Sequence, residues 1–184
     1  MSSGIINNLF KIETLSYLEL GVFNNINFDQ IKSKNKFSVD TNGHAMYTGT
    51  TDEYFSQLDP AEKFDIIFID ANHNYEYVVR DFNNSIDHAT QWILMHDMIP
   101  PNETYSTPHR CFNAFRVLYH MLSFENFEIY PMSCNFGFTL IKLPANKIYP
   151  DHKKTNISYR EFDEFINTQK LYTKEEIIQL LRNE

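Results

Sequence analysis

The chain has 184 residues, 42% of them hydrophobic and 15% aromatic, enough apolar material for one domain with a sizeable core, which excludes a disordered chain. The formal net charge of −8 would repel a phosphate backbone, and Lys32, Lys34 and Lys36 form only a short basic group, so no nucleic-acid partner is expected. Cys111 and Cys134 lack the paired spacing of a zinc site, and no basic leader or membrane-length apolar stretch is present, so the reading is a cytoplasmic protein with reduced thiols and no membrane partner.

In chain order, the first dozen residues, through Phe10 and Ile12, read as a short helix leading to a strand near Ser16 to Leu20, and Gly21 allows a tight turn. Ile26, Phe28 and Ile31 can pack a short helix beneath a sheet. Phe37 to Asp40 is the second strand, and only Thr41 to Ala45 separate it from a third around Met46 to Thr48. A parallel crossover normally needs a dozen or more residues, so either a helix is lost here or the third strand is short or displaced. Thr51 to Leu58 reads as a helix that Thr50 or Thr51 can cap. Phe64 to Ile69 is almost continuously apolar, as expected of a central parallel strand covered on both faces. Val78, Val79, Phe82, Ile86 and Ala89 recur at helical spacing before a strand from Trp92 to His96, which makes a parallel βαβ unit. A polar loop from Pro100 to Pro108 precedes a helix marked by Phe112, Phe115, Leu118, Tyr119 and Leu122. Phe127 to Tyr130 and Phe136 to Leu143, joined by Pro131 to Asn135, form an antiparallel pair. Beyond Pro150, Asp151 to Lys154 reads as a linker, followed by two helix starts with the reciprocal capping pattern at Ser158/Glu161 and Thr173/Glu176.

The apolar runs carry acids at or near their carboxyl ends: Glu19, Asp40, Asp70 and Asp97. In an open parallel sheet those ends line one crevice where ligands bind, so several carboxylates are expected around it. Asp40 follows Glu19 by 40 − 19 = 21 residues, the interval at which a nucleotide-binding unit supplies an acid to ribose hydroxyls. The pattern suggests an adenosine-type ligand.

An acidic first strand ending in Glu19-Leu-Gly21, an acid after the second strand and a closing hairpin resemble the class I S-adenosylmethionine-dependent methyltransferases. Thr50 to Phe55, Phe64 to His73, Arg80-Asp81-Phe82, Leu94 to Asp97 with Pro100, and Asn135-Phe-Gly137 resemble, more narrowly, small methyltransferases of sugar, glycan and natural-product pathways. The resemblance implies a Rossmann-like α/β fold, a mostly parallel sheet with helices on both faces and a C-terminal antiparallel hairpin. It spans roughly Ser16 to Lys142, which divides the chain into a methyltransferase-like domain at 1–149 and a helical extension at 150–184. Val22 to Ile26 replaces the usual glycine-rich turn, where Asn24 and Asn25 can supply left-handed backbone and amide hydrogen bonds.

The resemblance places Glu19 and Gly21 beside the methionine end of S-adenosylmethionine, Asp40 on its ribose, Thr50 and Asp52 beside its adenine, and Asn24 and Asp70 among the cofactor contacts. The plain alternative for Asp40 is a turn-forming residue before Asn42-Gly43, and for Asp52 an acid in a helix's first turn. His73 and His96, with Asp97, are candidates for removing the acceptor's proton, since an imidazole can take a proton near neutral pH and a carboxylate can orient it. Asp70 and Asp97 could instead hold Mg²⁺, although Met98 follows Asp97 where the catechol-type arrangement has Asn. Tyr105, His109 and Arg110 lie where an acceptor would enter, and Phe124, Phe127, Phe136 and Phe138 read as core. The function expected is O-methylation of a sugar or other small hydroxylated metabolite. The alternatives are an inactive binding module of the same fold, which the missing glycines favour, and a metal-dependent enzyme on Asp70, His73, His96 and Asp97. The C-terminal helices could cover the site, mediate a homodimer contact or simply pack on their own sheet.

Overall fold

The unbroken apolar run Phe64–Ile69 becomes β4, the middle strand of a seven-stranded sheet, and the other elements are arranged around it. A computed structural model describes residues 1–122, 127–134, 136–144 and 156–182. The strands are β1 (Ser16–Leu20), β2 (Asn35–Asp40), β3 (Tyr47–Thr48), β4, β5 (Ala89–Met95), β6 (Glu128–Met132) and β7 (Phe138–Lys142), in the order β3-β2-β1-β4-β5-β7-β6. β7 is antiparallel to both β5 and β6, and every other pair is parallel. The helices are α1 (Ser2–Leu9), α2 (Ile26–Asp29), α3 (Thr51–Gln57), α4 (Tyr75–His88), α5 (Phe115–Met121), α6 (Tyr159–Ile166) and α7 (Lys174–Arg182).

Alternation along the strands makes two cores, because successive side chains point to opposite faces. Leu18, Leu20, Ile67, Ile69, Ile93 and Met95 face α4, α5 and α6 through Val78, Phe82, Ile86, Phe115 and Phe162. Tyr17, Ile66, Phe68, Trp92 and Leu94 face α1, α2 and α7 through Ile6, Leu9, Phe28 and Ile177. Both faces of the sheet are therefore covered, as the continuous apolar character of β4 requires.

Several boundaries differ from the sequence reading, each for a local reason. Ala89 opens β5 rather than closing the preceding helix, and Ile12 sits in a separate 3₁₀ turn. Only one turn of helix forms at α2, where Phe28 and Ile31 are buried while Ile26 is exposed. Phe112 has φ +45° and lies outside α5. The loop between β2 and β3 carries no helix, and β3 is only two residues long. It pairs beside Val39 and Asp40, the carboxyl end of β2, so the chain never has to travel back along the strand. Pro131 lies inside β6, which is an edge strand, and its carbonyl accepts from Tyr172 N. Phe136 is exposed rather than in the core and stacks on Tyr105 at 5.3 Å, whereas Phe127 and Phe138 are buried as expected. Phe124, Asn135 and the predicted linker at Asp151 to Lys154 lie outside the described residues.

Candidate active site

The turn after β1 begins with Gly21, at φ +87°, where a Cβ would lie 2.3 Å from the carbonyl oxygen of Asp70. Only glycine permits that approach between the ends of β1 and β4. Phe23 and Asn25 then take left-handed angles, φ +48° and +63°, so the turn closes without further glycines. Asp40 stabilises it from the end of β2. Its Oδ2 accepts from Val22 N (2.8 Å) and Phe23 N (2.9 Å), and its Oδ1 accepts from Asn42 N (3.0 Å). Burial pushes the Asp40 carboxyl up, but the amides of Asn42, Phe23 and Val22 and the Thr41 hydroxyl outweigh that and hold it below its ordinary value. Asp40 thus makes the predicted turn with Asn42 and also organises the glycine-poor turn.

The carboxyl ends of β1, β2 and β4 border a crevice of about 490 Å³, within the range of small-molecule sites. Of the predicted cofactor contacts, Gly21, Asp40, Thr50 and Asp52 line it, together with the chemistry candidate His73 and the acceptor-loop residues His109 and Arg110. Thr50 caps α3, exchanging hydrogen bonds with Glu53, and Asp52 pairs with Arg80 at 3.0 Å.

Glu19 and Asn24 are not in the crevice wall. The period-two alternation that sends Leu18 and Leu20 to one face sends Glu19 to the other. There it is buried, accepting from the Tyr17 hydroxyl (2.7 Å) and Asn27 Nδ2 (3.1 Å). Burial raises its carboxyl to about 7 despite those bonds. Asn24 is exposed and its Oδ1 accepts from Ile26 N (3.3 Å), a local bond in the turn before α2, whose N-cap is Asn25.

At the far end of the crevice Asp70, His73, His96 and Asp97 come together. Asp70 Oδ1 lies 3.2 Å from His73 Nε2 and 3.1 Å from His96 Nδ1. Asp97 Oδ1 lies 3.2 Å from His96 Nδ1, and its Oδ2 3.4 Å from His73 Nδ1, which also meets the Arg110 carbonyl at 2.6 Å. The left-handed backbone of Asp97, φ +59°, accompanies this placement, and the Cys111 thiol hydrogen-bonds its carboxylate. Burial alone would lower His73, but Asp70, Asp97 and the Arg110 carbonyl surround both ring nitrogens with acceptors and raise it above its ordinary value. Burial pushes Asp70 up, yet His96 and His73 hold it below the usual carboxylate range. Asp97 stays raised because burial outweighs the same two histidines. Within this cluster His73 is the residue that lines the crevice; Asp70, His96 and Asp97 stand behind it.

Asp81, which the sequence offers only within the motif Arg80-Asp81-Phe82 and with no role of its own, also lines the crevice, as does Tyr77. Asp81 is 2% exposed on α4, three residues after Val78 and next to Phe82. An acid inside the buried stripe of an amphipathic helix was the available signal.

This fold, with its crevice at the carboxyl ends of the parallel strands, is shared with methyltransferases of solved structure. Residues 24–98 match the model of a family described as a methyltransferase domain. No protein in the curated comparison matches the chain. The chain is similar in structure to an O-methyltransferase from Bacillus cereus solved in complex with SAH, with TM-score 0.60 and 14% identity over 78% of this chain and 81% of that one. The O-methyltransferase TomG from Streptomyces achromogenes, involved in tomaymycin synthesis and solved with SAM, gives TM-score 0.58 and 14% identity over 77% and 79%. An SAH-bound methyltransferase from Podospora anserina gives 0.56 and 13% over 74% of each chain. Among the described residues no helix is long and apolar enough to cross a membrane.

Proposed function

We propose that this protein is an S-adenosylmethionine-dependent O-methyltransferase acting on a sugar or another small hydroxylated metabolite. The observation that carries the reading is His73, which lines the crevice while Asp70 and Asp97 flank it from behind. Methyl transfer from a sulfonium to a hydroxyl is an in-line displacement, so the protein must align donor and acceptor and take the hydroxyl proton. In this reading the cofactor occupies the crevice between Gly21, Asp40 and Thr50 to Asp52. The neutral His73 ring, with Nδ1–H donated to the Arg110 carbonyl, takes the proton on Nε2, and the N–H so formed donates to Asp70 Oδ1, 3.2 Å away. Asp70 and Asp97 stabilise the resulting imidazolium, and His96 positions Asp70 through its Nδ1 contact.

Titration of the native protein with S-adenosylhomocysteine is the test. We expect saturable calorimetric binding and a rise in melting temperature, because a ligand that binds only folded protein stabilises it by mass action. We also expect His73→Ala to bind the cofactor while losing most methyl transfer to hydroxylated acceptors. Folded protein that gives no heat with either cofactor form would favour the inactive binding module instead.

A second reading is supported by one observation: ligand atoms of Asp70, His96 and Asp97 all lie within 4.8 Å of one another. That set fits a divalent ion that would polarise an acceptor hydroxyl. Its imidazole suits a transition metal better than Mg²⁺, which prefers all-oxygen shells. Elemental analysis of the purified protein separates the two readings. Stoichiometric metal supports this one, and full activity after chelation excludes it.

A further inference from the structure

The loop beside His73 carries a cation that neither the turn after β1 nor the histidine cluster uses. Arg110 is exposed and lines the crevice, and its carbonyl meets His73 Nδ1 at 2.6 Å. Its guanidinium lies 4.4 Å from the centroid of the Tyr105 ring, and that ring stacks in turn on Phe136 at 5.3 Å. Phe136 is itself anchored. It takes a left-handed backbone, φ +60°, and its carbonyl accepts from Ile99 N (2.9 Å), two residues beyond Asp97. The stack thus ties the arginine to the segment that follows β5 and holds it beside the candidate base.

A cation–π stack occupies one side of a guanidinium and leaves N–H donors for a ligand. Among the described residues no carboxylate pairs with Arg110, although the chain has a net charge of −8 and supplies acids to Arg80 and Arg160, each at 3.0 Å. Arg110 is also the only arginine or lysine among the described residues that line the crevice, where Asp40, Asp52 and Asp81 carry the opposite sign. An anion entering there has this one permanent cation to meet. We propose that Arg110 recognises the acceptor and that the acceptor is an acid, a small hydroxylated metabolite whose carboxylate or phosphate takes a forked hydrogen bond from the guanidinium. Because the carbonyl of the same residue holds His73, an acid seated on the guanidinium is tethered beside the imidazole that takes the hydroxyl proton. The inference rests on the methyltransferase reading above and narrows its substrate class, from hydroxylated metabolites in general to acidic ones.

The test is calorimetry on the full chain saturated with S-adenosylhomocysteine, with glucuronate and glucose 6-phosphate as charged probes and glucose as their neutral counterpart. At least one charged probe is expected to bind about tenfold or more tighter than glucose, and which one does so tells carboxylate from phosphate recognition. Arg110→Gln should bring that probe to within about twofold of glucose, whereas Arg110→Lys, which keeps the charge without the fork, should retain part of the preference. Tyr105→Ala should weaken the charged probe about two- to fivefold, the worth of an exposed cation–π contact, and leave glucose unchanged. Native protein that binds neither acid more tightly than glucose overturns the assignment without needing any variant to fold. A preference undiminished in folded Arg110→Gln also overturns it. So does a loss of about tenfold or more in the affinity of Arg110→Gln for S-adenosylhomocysteine, since the arginine would then serve the cofactor's own carboxylate. Complete failure of the native protein to bind S-adenosylhomocysteine instead removes the cofactor reading, and this inference falls with it.

Discussion

His73 is surrounded by oxygen atoms: Asp70 Oδ1 at 3.2 Å, Asp97 Oδ2 at 3.4 Å and the Arg110 carbonyl at 2.6 Å. Each favours the protonated ring, so its folded-state value lies above the ordinary 6.5. A base that must first lose this proton gives a rate that rises with pH across that raised value. Asp70→Asn removes a carboxylate that stabilises the imidazolium, so we expect the midpoint of the rising limb of kcat against pH to move to lower pH. An unmoved limb, or one shifted upward, would show that another group controls it. Asp97 also favours the imidazolium, so Asp97→Asn should move the same limb in the same direction. How far single residues could be read from sequence depended on which face each occupied. Asp40, Thr50 and Asp52 reach the crevice as their positions after β2 and at the start of α3 implied. Glu19 does not, although it occupies the expected strand. The alternation along β1 turns it toward Tyr17 and Asn27 instead. Asp81 stands in the motif Arg80-Asp81-Phe82, but its place in the crevice wall was not legible, because a helical acid on an apolar stripe looks like a defect in periodicity until the crevice beside it is visible.

At the level of elements, strands that must be buried on both faces were the most legible. β1 spans Ser16–Leu20 and β4 spans Phe64–Ile69, as their apolar runs required. The capping pairs at Ser158/Glu161 and Thr173/Glu176 were equally clear, because the reciprocal hydrogen bonds are local. The β2–β3 connection was not legible, since a loop too short for a crossover gives no local sign of where its strand will pair. The same limit applies to the turn after β1, whose shape depends on a side chain 18 residues away: Asp40 binding the amide of Val22. That turn predicts its own sensitivity. Gly21→Ala would put a methyl group against the Asp70 carbonyl while keeping a left-handed backbone. We expect a loss of about 2 kcal/mol or more in urea unfolding, with displaced Asp70 and weakened cofactor binding. A loss below about 0.5 kcal/mol would mean that β1 and β4 can separate at their ends, and that the close approach does not set the crevice.

For the whole molecule, the question is whether the residues after 150 are an appendage or part of the fold. The sequence places a boundary there from composition, which cannot reveal that α6 and α7 end on opposite sides of the sheet. Ile166 and Phe162 of α6 join the core that contains α4 and α5, while Ile177 of α7 joins the core that contains α1. Tyr172, between them, bridges to Met132 on the edge strand β6 and covers part of an otherwise open edge. This arrangement couples the C-terminal helices to both layers. Ile166→Val and Ile177→Val each delete one buried methylene, at a typical cost of about 0.5–1.5 kcal/mol. The two sites lie on opposite faces of the sheet with no shared partner, so their effects should add to within about 0.5 kcal/mol. We expect circular dichroism and tryptophan fluorescence, the latter reporting Trp92 in the sheet, to give one coincident urea transition whose midpoint falls with each substitution. If the helices unfold separately, Trp92 will report a midpoint that neither substitution moves, and 150–184 will stand as an independent extension.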